Sequence, residues 1–270
     1  PEMNIDTATT SLVSIMKAYG IEAENVLDDV MSKINKVGNT SATSNLQIVN
    51  GLQRSSAAMA AMDSTLEENI ALFTAAQEII QDDASVGNAL KTVSMRVRGY
   101  DEETQQLSED LANISGEVVD LTKTASNANG ISLFTDETQT EYKSIYEYLQ
   151  EVSKIYDELG AKQKQELMEK LFGKQRASVG SAILSNFEAA EKAMTTMSNS
   201  AGSAEKEMET IAQSLVFKLN NLKETGTGII QDIFRKEEIG STVDGLTSVL
   251  ELIGNIVDKV NCSSMNWYSE

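Results

Sequence analysis

Residues 142–160 read Tyr-Lys-Ser-Ile-Tyr-Glu-Tyr-Leu-Gln-Glu-Val-Ser-Lys-Ile-Tyr-Asp-Glu-Leu-Gly. Tyr142, Ile145, Tyr146, Leu149, Val152, Tyr156 and Leu159 recur at the spacing that lays one apolar stripe along an α-helix, with charged residues between them. Gly160 stands where a helix commonly ends in a left-handed residue, and it is expected to close this one. Similar stripes appear upstream. Val26, Leu27, Val30, Met31, Ile34 and Val37 form one, ended by Gly38. Leu66, Ile70, Phe73, Ala76, Ile79 and Ile80 form a second, and Ser64 with Glu67 has the spacing of a reciprocal N-terminal cap. Val86, Leu90, Val93 and Val97 form a third, with Gly99 as its stop.

Composition agrees with the stripes. The only proline of 270 residues is Pro1, so no later position lacks its amide donor, and aromatic residues make up 5%. With Ala, Leu, Glu, Lys and Met common, the expectation is an all-α fold: a multi-helix bundle of short amphipathic helices with a longer C-terminal helical segment. Two uncharged, stripe-free stretches read as joints. They are residues 124–132, which contain Asn129-Gly130, and residues 195–204. They suggest an N-terminal helical domain over 1–128, a second helical subdomain over 129–202, and a C-terminal part over 203–270. In that last part a helical stretch runs from Glu205 to about Lys223, followed by the break Gly226-Thr227-Gly228. Ile239, Thr242, Leu246, Val249, Ile253, Ile256 and Val260 then follow alternating steps of three and four, a heptad seam. Gly240, Gly245 and Gly254 each weaken it as a free helix by roughly 1 kcal/mol relative to Ala, so it needs a partner surface. That surface is either the protein's own core or another subunit. No internal repeat of fixed period is evident.

Charge and residue usage exclude several function classes. Lys and Arg number 22 against 41 Asp and Glu, a formal net charge of −19. Such a surface repels phosphate backbones, so stable nucleic-acid binding is not expected. There is no histidine, which removes the usual general base near neutral pH and the commonest metal ligand. The one cysteine, Cys262, has neither a disulfide partner nor a histidine to activate it. No calcium loop, phosphate-cradling glycine loop or serine elbow is present. Acidic pairs such as Asp28-Asp29, Asp82-Asp83 and Glu237-Glu238 fit solvated surfaces and first helical turns. No catalytic residue, cofactor or metal is therefore expected. No stretch approaches 18 consecutive apolar residues, so no permanent membrane span is expected either. The chain opens Pro1-Glu2-Met3 without a signal peptide pattern and is expected to be a piece of something longer.

Against this acidic background two basic spots stand out. Lys91, Arg96 and Arg98 flank the third stripe, and Lys174 and Arg176 follow Leu171-Phe172-Gly173. One reading has them answering nearby helix C-termini or acidic neighbours; the other has them contacting a partner's acidic surface or passing DNA. The 11 methionines, among them Met59, Met62, Met194 and Met197, read as core filler or as a surface that repacks.

Several blocks, in order, carry a likeness. They are residues 51–58 (Gly-Leu-Gln-Arg-Ser-Ser-Ala-Ala), 64–68 (Ser-Thr-Leu-Glu-Glu), 72–78 (Leu-Phe-Thr-Ala-Ala-Gln-Glu) and 86–99 (Val-Gly-Asn-Ala-Leu-Lys-Thr-Val-Ser-Met-Arg-Val-Arg-Gly). Further on come 142–146, 171–176 (Leu-Phe-Gly-Lys-Gln-Arg), 182–187 (Ala-Ile-Leu-Ser-Asn-Phe) and 199–204. Together they resemble tail tape measure proteins of phages and prophages of Gram-positive bacteria, over roughly residues 10–225. The resemblance implies a structural virion protein that lies in the tail lumen, sets tail length during tube assembly and leaves ahead of the DNA on infection. It implies as partners the tail tube protein, tail assembly chaperones and distal tail or baseplate proteins. Assembly would take place in the host bacterial cytoplasm. Self-association through Ile239, Leu246, Val249, Ile253, Ile256 and Val260 is a further expectation. The rival reading is a membrane-active delivery module, although Asp244, Glu251 and Asp258 on the polar face suit anionic lipid poorly.

Overall fold

A computed structural model describes residues 5–101, 106–111, 113–204 and 206. Among the described residues ten α-helices follow one another: α1 (Ile5–Tyr19), α2 (Ser32–Gly38), α3 (Asn45–Ala60), α4 (Leu66–Ile80) and α5 (Asp83–Arg96) come first. After them come α6 (Ile114–Leu121), α7 (Ile145–Ile155), α8 (Ala161–Phe172), α9 (Ala177–Ser185) and α10 (Phe187–Met197). Only two isolated bridges, Tyr100 with Leu107 and Phe134 with Tyr142, interrupt the helical pattern, and no strand occurs among the described residues. The fold is the expected all-α bundle. All ten helices fall in a unit spanning Pro1–Glu205. The second unit, Lys206–Glu270, contains the expected longer C-terminal segment and lies, Lys206 apart, outside the described residues.

The core is organised around α4. It touches α3, α5, α7, α9 and α10, and every residue from Asn69 to Gln77 is buried. A helix covered on all sides carries apolar or small residues all round, and Ala71, Leu72, Ala75 and Ala76 supply that between the stripe positions. The stripe itself predicted only one covered side, and its member Ile79 lies 51% exposed. Beside α4, α3 and α5 cross at glycines. A β-carbon on Gly87 would sit 2.6 Å from the Gly51 carbonyl oxygen, and one on Gly51 would run into the Phe73 ring. Two side-chain-free surfaces thus let the α3 and α5 backbones meet over an aromatic ring of α4. Met59, Met62 and Met197 are buried core filler, and Ser94 Oγ donates to Met59 Sδ at 3.0 Å across the α3–α5 contact.

Three helix ends differ from expectation. The cap of α4 is Thr65 with Glu68, one residue beyond the Ser64–Glu67 pair: Glu68 N donates to Thr65 Oγ1 at 3.2 Å and Thr65 N to Glu68 Oε2 at 2.9 Å. Gly160 does not close α7 in a left-handed turn. Its φ is −63°, and it is the N-cap of α8; α7 ends at Ile155 and a 3₁₀ turn follows over Tyr156–Glu158. Tyr142 precedes α7 altogether and stacks on Phe134, ring centroids 4.6 Å apart. Upstream of α2, a π-helical turn over Leu27–Met31 inserts extra backbone. Its wider turn rotates the stripe, so Val30, Ile34 and Val37 are buried with Ser32 while Met31 is 37% exposed. The Asn129-Gly130 turn is as read: Gly130 has φ +73° and donates its amide to Asn127 O.

Candidate interaction site

The basic spots divide among three surroundings. Arg96 ends α5, and its Nε donates to Lys170 O at 2.8 Å while Nη2 reaches Glu169 O at 3.5 Å. Both are carbonyls of the last turn of α8; that of Glu169 already accepts from the Gly173 amide at 3.0 Å, so the guanidinium serves chiefly the carbonyl of Lys170. Lys170 in turn pairs with Glu117 on α6 at 2.7 Å. A cleft of about 420 Å³ opens here, and Arg96 and Lys174 both line it, joined by Lys170. Asp101, Glu166 and Glu169 line it too, so three acids face three cations and the cleft carries no field that selects an anion.

Arg98 turns elsewhere, its guanidinium carbon lying 5.4 Å from the Tyr100 ring centroid. It borders a second cleft of about 320 Å³ beside Leu107, which is 74% exposed. Lys91 is half-buried on α5, and Arg176 is half-buried as the residue that leads into α9. The structure thus brings Arg96 and Lys174 together and leaves Lys91, Arg98 and Arg176 apart from that cleft. Ile239, Leu246, Val249, Ile253, Ile256 and Val260 lie outside the described residues, as does Cys262.

Titratable groups with displaced pKa values are explained by burial or local hydrogen bonds. Burial pushes the Tyr148 and Tyr19 phenols up, and it pushes Tyr146 up to about 12 with help from Glu191 and Glu68. Asp136 is held below the usual carboxylate range, first by the Thr138 hydroxyl and then by the Glu141 amide in its own tight turn. Glu158 is lowered by the Ser126 hydroxyl.

Glu68 is the informative one. Partial burial raises it, against donation from the Thr65 amide and the Ser144 hydroxyl. Ser144 Oγ donates to Glu68 Oε1 at 3.0 Å, and Ile145 N donates to Ser64 Oγ at 3.2 Å. Ser144 also forms the cap of α7 with Glu147. The first turns of α4 and α7 therefore exchange hydrogen bonds, which ties together segments about eighty residues apart. Ser64, read as a cap for its own helix, serves α7 instead. That role follows from tertiary placement, and no local spacing announces it.

None of these groups forms an acid–base pair over a cleft. Among the described residues no group of three or more potential ligands is placed to hold a metal ion. No helix among them is long and apolar enough to cross a membrane. No solved structure matches the chain. The model of the phage-related minor tail protein family matches residues 2–173, from before α1 to the turn after α8, and the chain belongs to that family.

Proposed function

We propose that this chain is a module of a tail tape measure protein: it lies in the lumen of a growing phage tail, contributes to the length at which tube assembly stops, and leaves ahead of the DNA. As a member of a minor tail protein family it is a tail-associated structural protein, and a non-enzymatic role agrees with that family. The finer reading is supported by the ordered blocks from Gly51 to Ala204 that resemble tape measure proteins. Its partners on this reading are the tail tube protein, the tail assembly chaperones and the distal tail or baseplate proteins. It is made in the host bacterial cytoplasm and ends in the virion. The acidic surface suits a lumen through which DNA later slides, because like charges do not adhere.

An in-frame deletion of the encoding segment from the phage genome tests this. If the segment is ruler material in helical form, removing all 270 residues shortens the tail by about 1.5 Å per residue, roughly 400 Å in total. Tails of unchanged length in electron micrographs would refute the length-setting role while leaving membership of the tail family intact.

A further inference from the structure

We propose that residues 23–31 form a two-register segment of helix, in which a tight turn and a wide turn convert together into unbroken α-helix and exchange Val26 for Leu27 as the residue facing the core. In the structure a 3₁₀ turn over Ala23–Asn25 runs almost directly into the π turn over Leu27–Met31. Asn25 N donates to Glu22 O at 3.0 Å and Val26 N donates to Ala23 O, each three residues back, while Ser32 N donates to Leu27 O, five back. An α-helix uses four throughout. Three residues wound as a 3₁₀ turn run about 60° ahead of the same residues in an α-helix. The π turn winds more loosely and gives that lead back. The two departures largely cancel, so an α-helix over the same residues joins the same ends, Glu22 on one side and α2 on the other.

Only the residues between those ends change direction. α2 is anchored by its buried residues Ser32, Ile34, Asn35 and Val37. Measured from that anchor, the 60° lead turns Val26 onto the core, against which it packs, whereas half-buried Leu27 stands outside that packing. Removing the lead swings Val26 off the middle of the covered side and brings Leu27 towards it. The sequence favours that second form, because Val26, Leu27, Val30, Ile34 and Val37 keep the spacing of one α-helical stripe. Little holds the irregular form against it. None of Ala23, Glu24 and Asn25 is buried, and the Glu22 side chain caps nothing. The two turns touch chiefly each other and α2. Among the described residues, the one side-chain bond made by residues 23–31 is the ion pair of Asp29 with Lys33 at 3.7 Å, four residues on in the same run. Irregular backbone persists where its surroundings over-determine it, and these surroundings do not. The two forms therefore lie close in free energy. The conversion is independent of any role in gauging tail length.

Relaxation-dispersion NMR on the full chain tests this. Amides of residues 24–31 are expected to show exchange on the microsecond-to-millisecond scale of helix register shifts, while those of α4 and α5 give flat profiles. Val26→Ala removes two methyl groups that pack in the irregular form, and is expected to raise the ratio of unbroken to irregular helix by roughly fourfold, the factor for losing their half-burial. Leu27→Ala is expected to lower that ratio by a similar factor. The α-carbon chemical shifts of residues 24–28 report the direction. Both substitutions introduce alanine, so helix propensity alone would move both proteins the same way. Both side chains are only half-buried, so the bundle is expected to stay folded in each variant, and the profile of the unaltered protein decides in any case. A flat profile over residues 24–31 overturns the proposal, and so do two variants that shift in the same direction.

Discussion

Gly87→Ala places a methyl group against backbone that has nowhere to go. The new β-carbon would lie 2.6 Å from Gly51 O and 2.9 Å from Gly51 Cα. Relieving that overlap requires α3 and α5 to separate by roughly 0.7 Å or more to reach ordinary contact distance. Neither neighbouring atom belongs to a side chain that can rotate away. Two effects oppose each other. Alanine is a better helix former than glycine by about 1 kcal/mol in an exposed helix interior, whereas inserting a methyl into a filled core costs about 1–3 kcal/mol. Separation also loosens what lies on either side of the crossing, including Leu52, Met59, Leu90 and the Ser94–Met59 contact, all buried. The overlap is therefore expected to win, with a net loss of about 1–2 kcal/mol. For a unit of this size that lowers Tm by roughly 3–6 °C. Gly116→Ala is the matched control. Gly116 is exposed on α6, and its added carbon would meet only the movable Asn113 side chain, at 2.9 Å. There the propensity gain stands alone, and stability should rise by up to about 1 kcal/mol. Urea unfolding followed by circular dichroism reads both variants, with equal slopes indicating that only stability has changed. A Gly87→Ala protein with a midpoint at or above that of the unaltered chain would refute the close crossing as described.

Glu68→Gln keeps one oxygen to accept from Thr65 N, puts an amide nitrogen where Oε1 accepted from Ser144 Oγ, a hydroxyl that can turn to accept instead, and removes a half-buried charge. Because the folded protein raises the Glu68 pKa above 4.5, the folded state binds its proton more tightly than the unfolded chain does. Ionised Glu68 therefore costs stability above its raised value, and the cost vanishes as pH falls through that value to below 4.5. The variant should equal or exceed the parent in urea midpoint at pH 7 and lose that advantage near pH 4; a clear loss at pH 7 would count against the assignment. Ser144→Ala removes both the cap of α7 and the bond to Glu68, and should cost about 2 kcal/mol in the same assay. No loss there would mean that the α4–α7 exchange contributes nothing. Arg96→Ala removes the 2.8 Å bond to the Lys170 carbonyl and should cost about 1–2 kcal/mol in thermal unfolding, with Lys a poor replacement because it lacks the planar fork. Full recovery by Arg96→Lys would show that charge alone matters at this position.

Four helices of the bundle, α2, α4, α5 and α7, were legible because their information is local. The stripes at Leu66–Ile80 and Val86–Val97 mark α4 and α5, since apolar spacing states which side of a helix must leave water. The Asn129-Gly130 turn was equally legible from the backbone demands of its residues. α3 carried no such stripe in the reading, for a physical reason. Its covered side includes Gly51, Ser55 and Ser56, chosen for closeness rather than apolar area. Ser55 Oγ bonds Asn69 Oδ1 at 3.0 Å, and Asn69 Nδ2 bonds the Tyr19 hydroxyl, so polar residues are at home in that interface.

Where two local solutions were equally good, only the tertiary structure chose between them. Both Ser64-x-x-Glu67 and Thr65-x-x-Glu68 satisfy the spacing of a reciprocal cap. The second is used because Ser64 is 3% exposed and taken up by the Ile145 amide, a buried donor that would otherwise lack a partner. The same logic governs Arg96, whose bond to the Lys170 carbonyl exists only because the fold brings α8 beside it. It governs Asn35 as well. Inside α2 that residue looks like an interruption of the stripe, yet it donates to Ser203 and accepts from Asn39 and Asn45. A side chain that joins segments 168 residues apart leaves no trace in any window of sequence, because its partners are adjacent only once the bundle has closed.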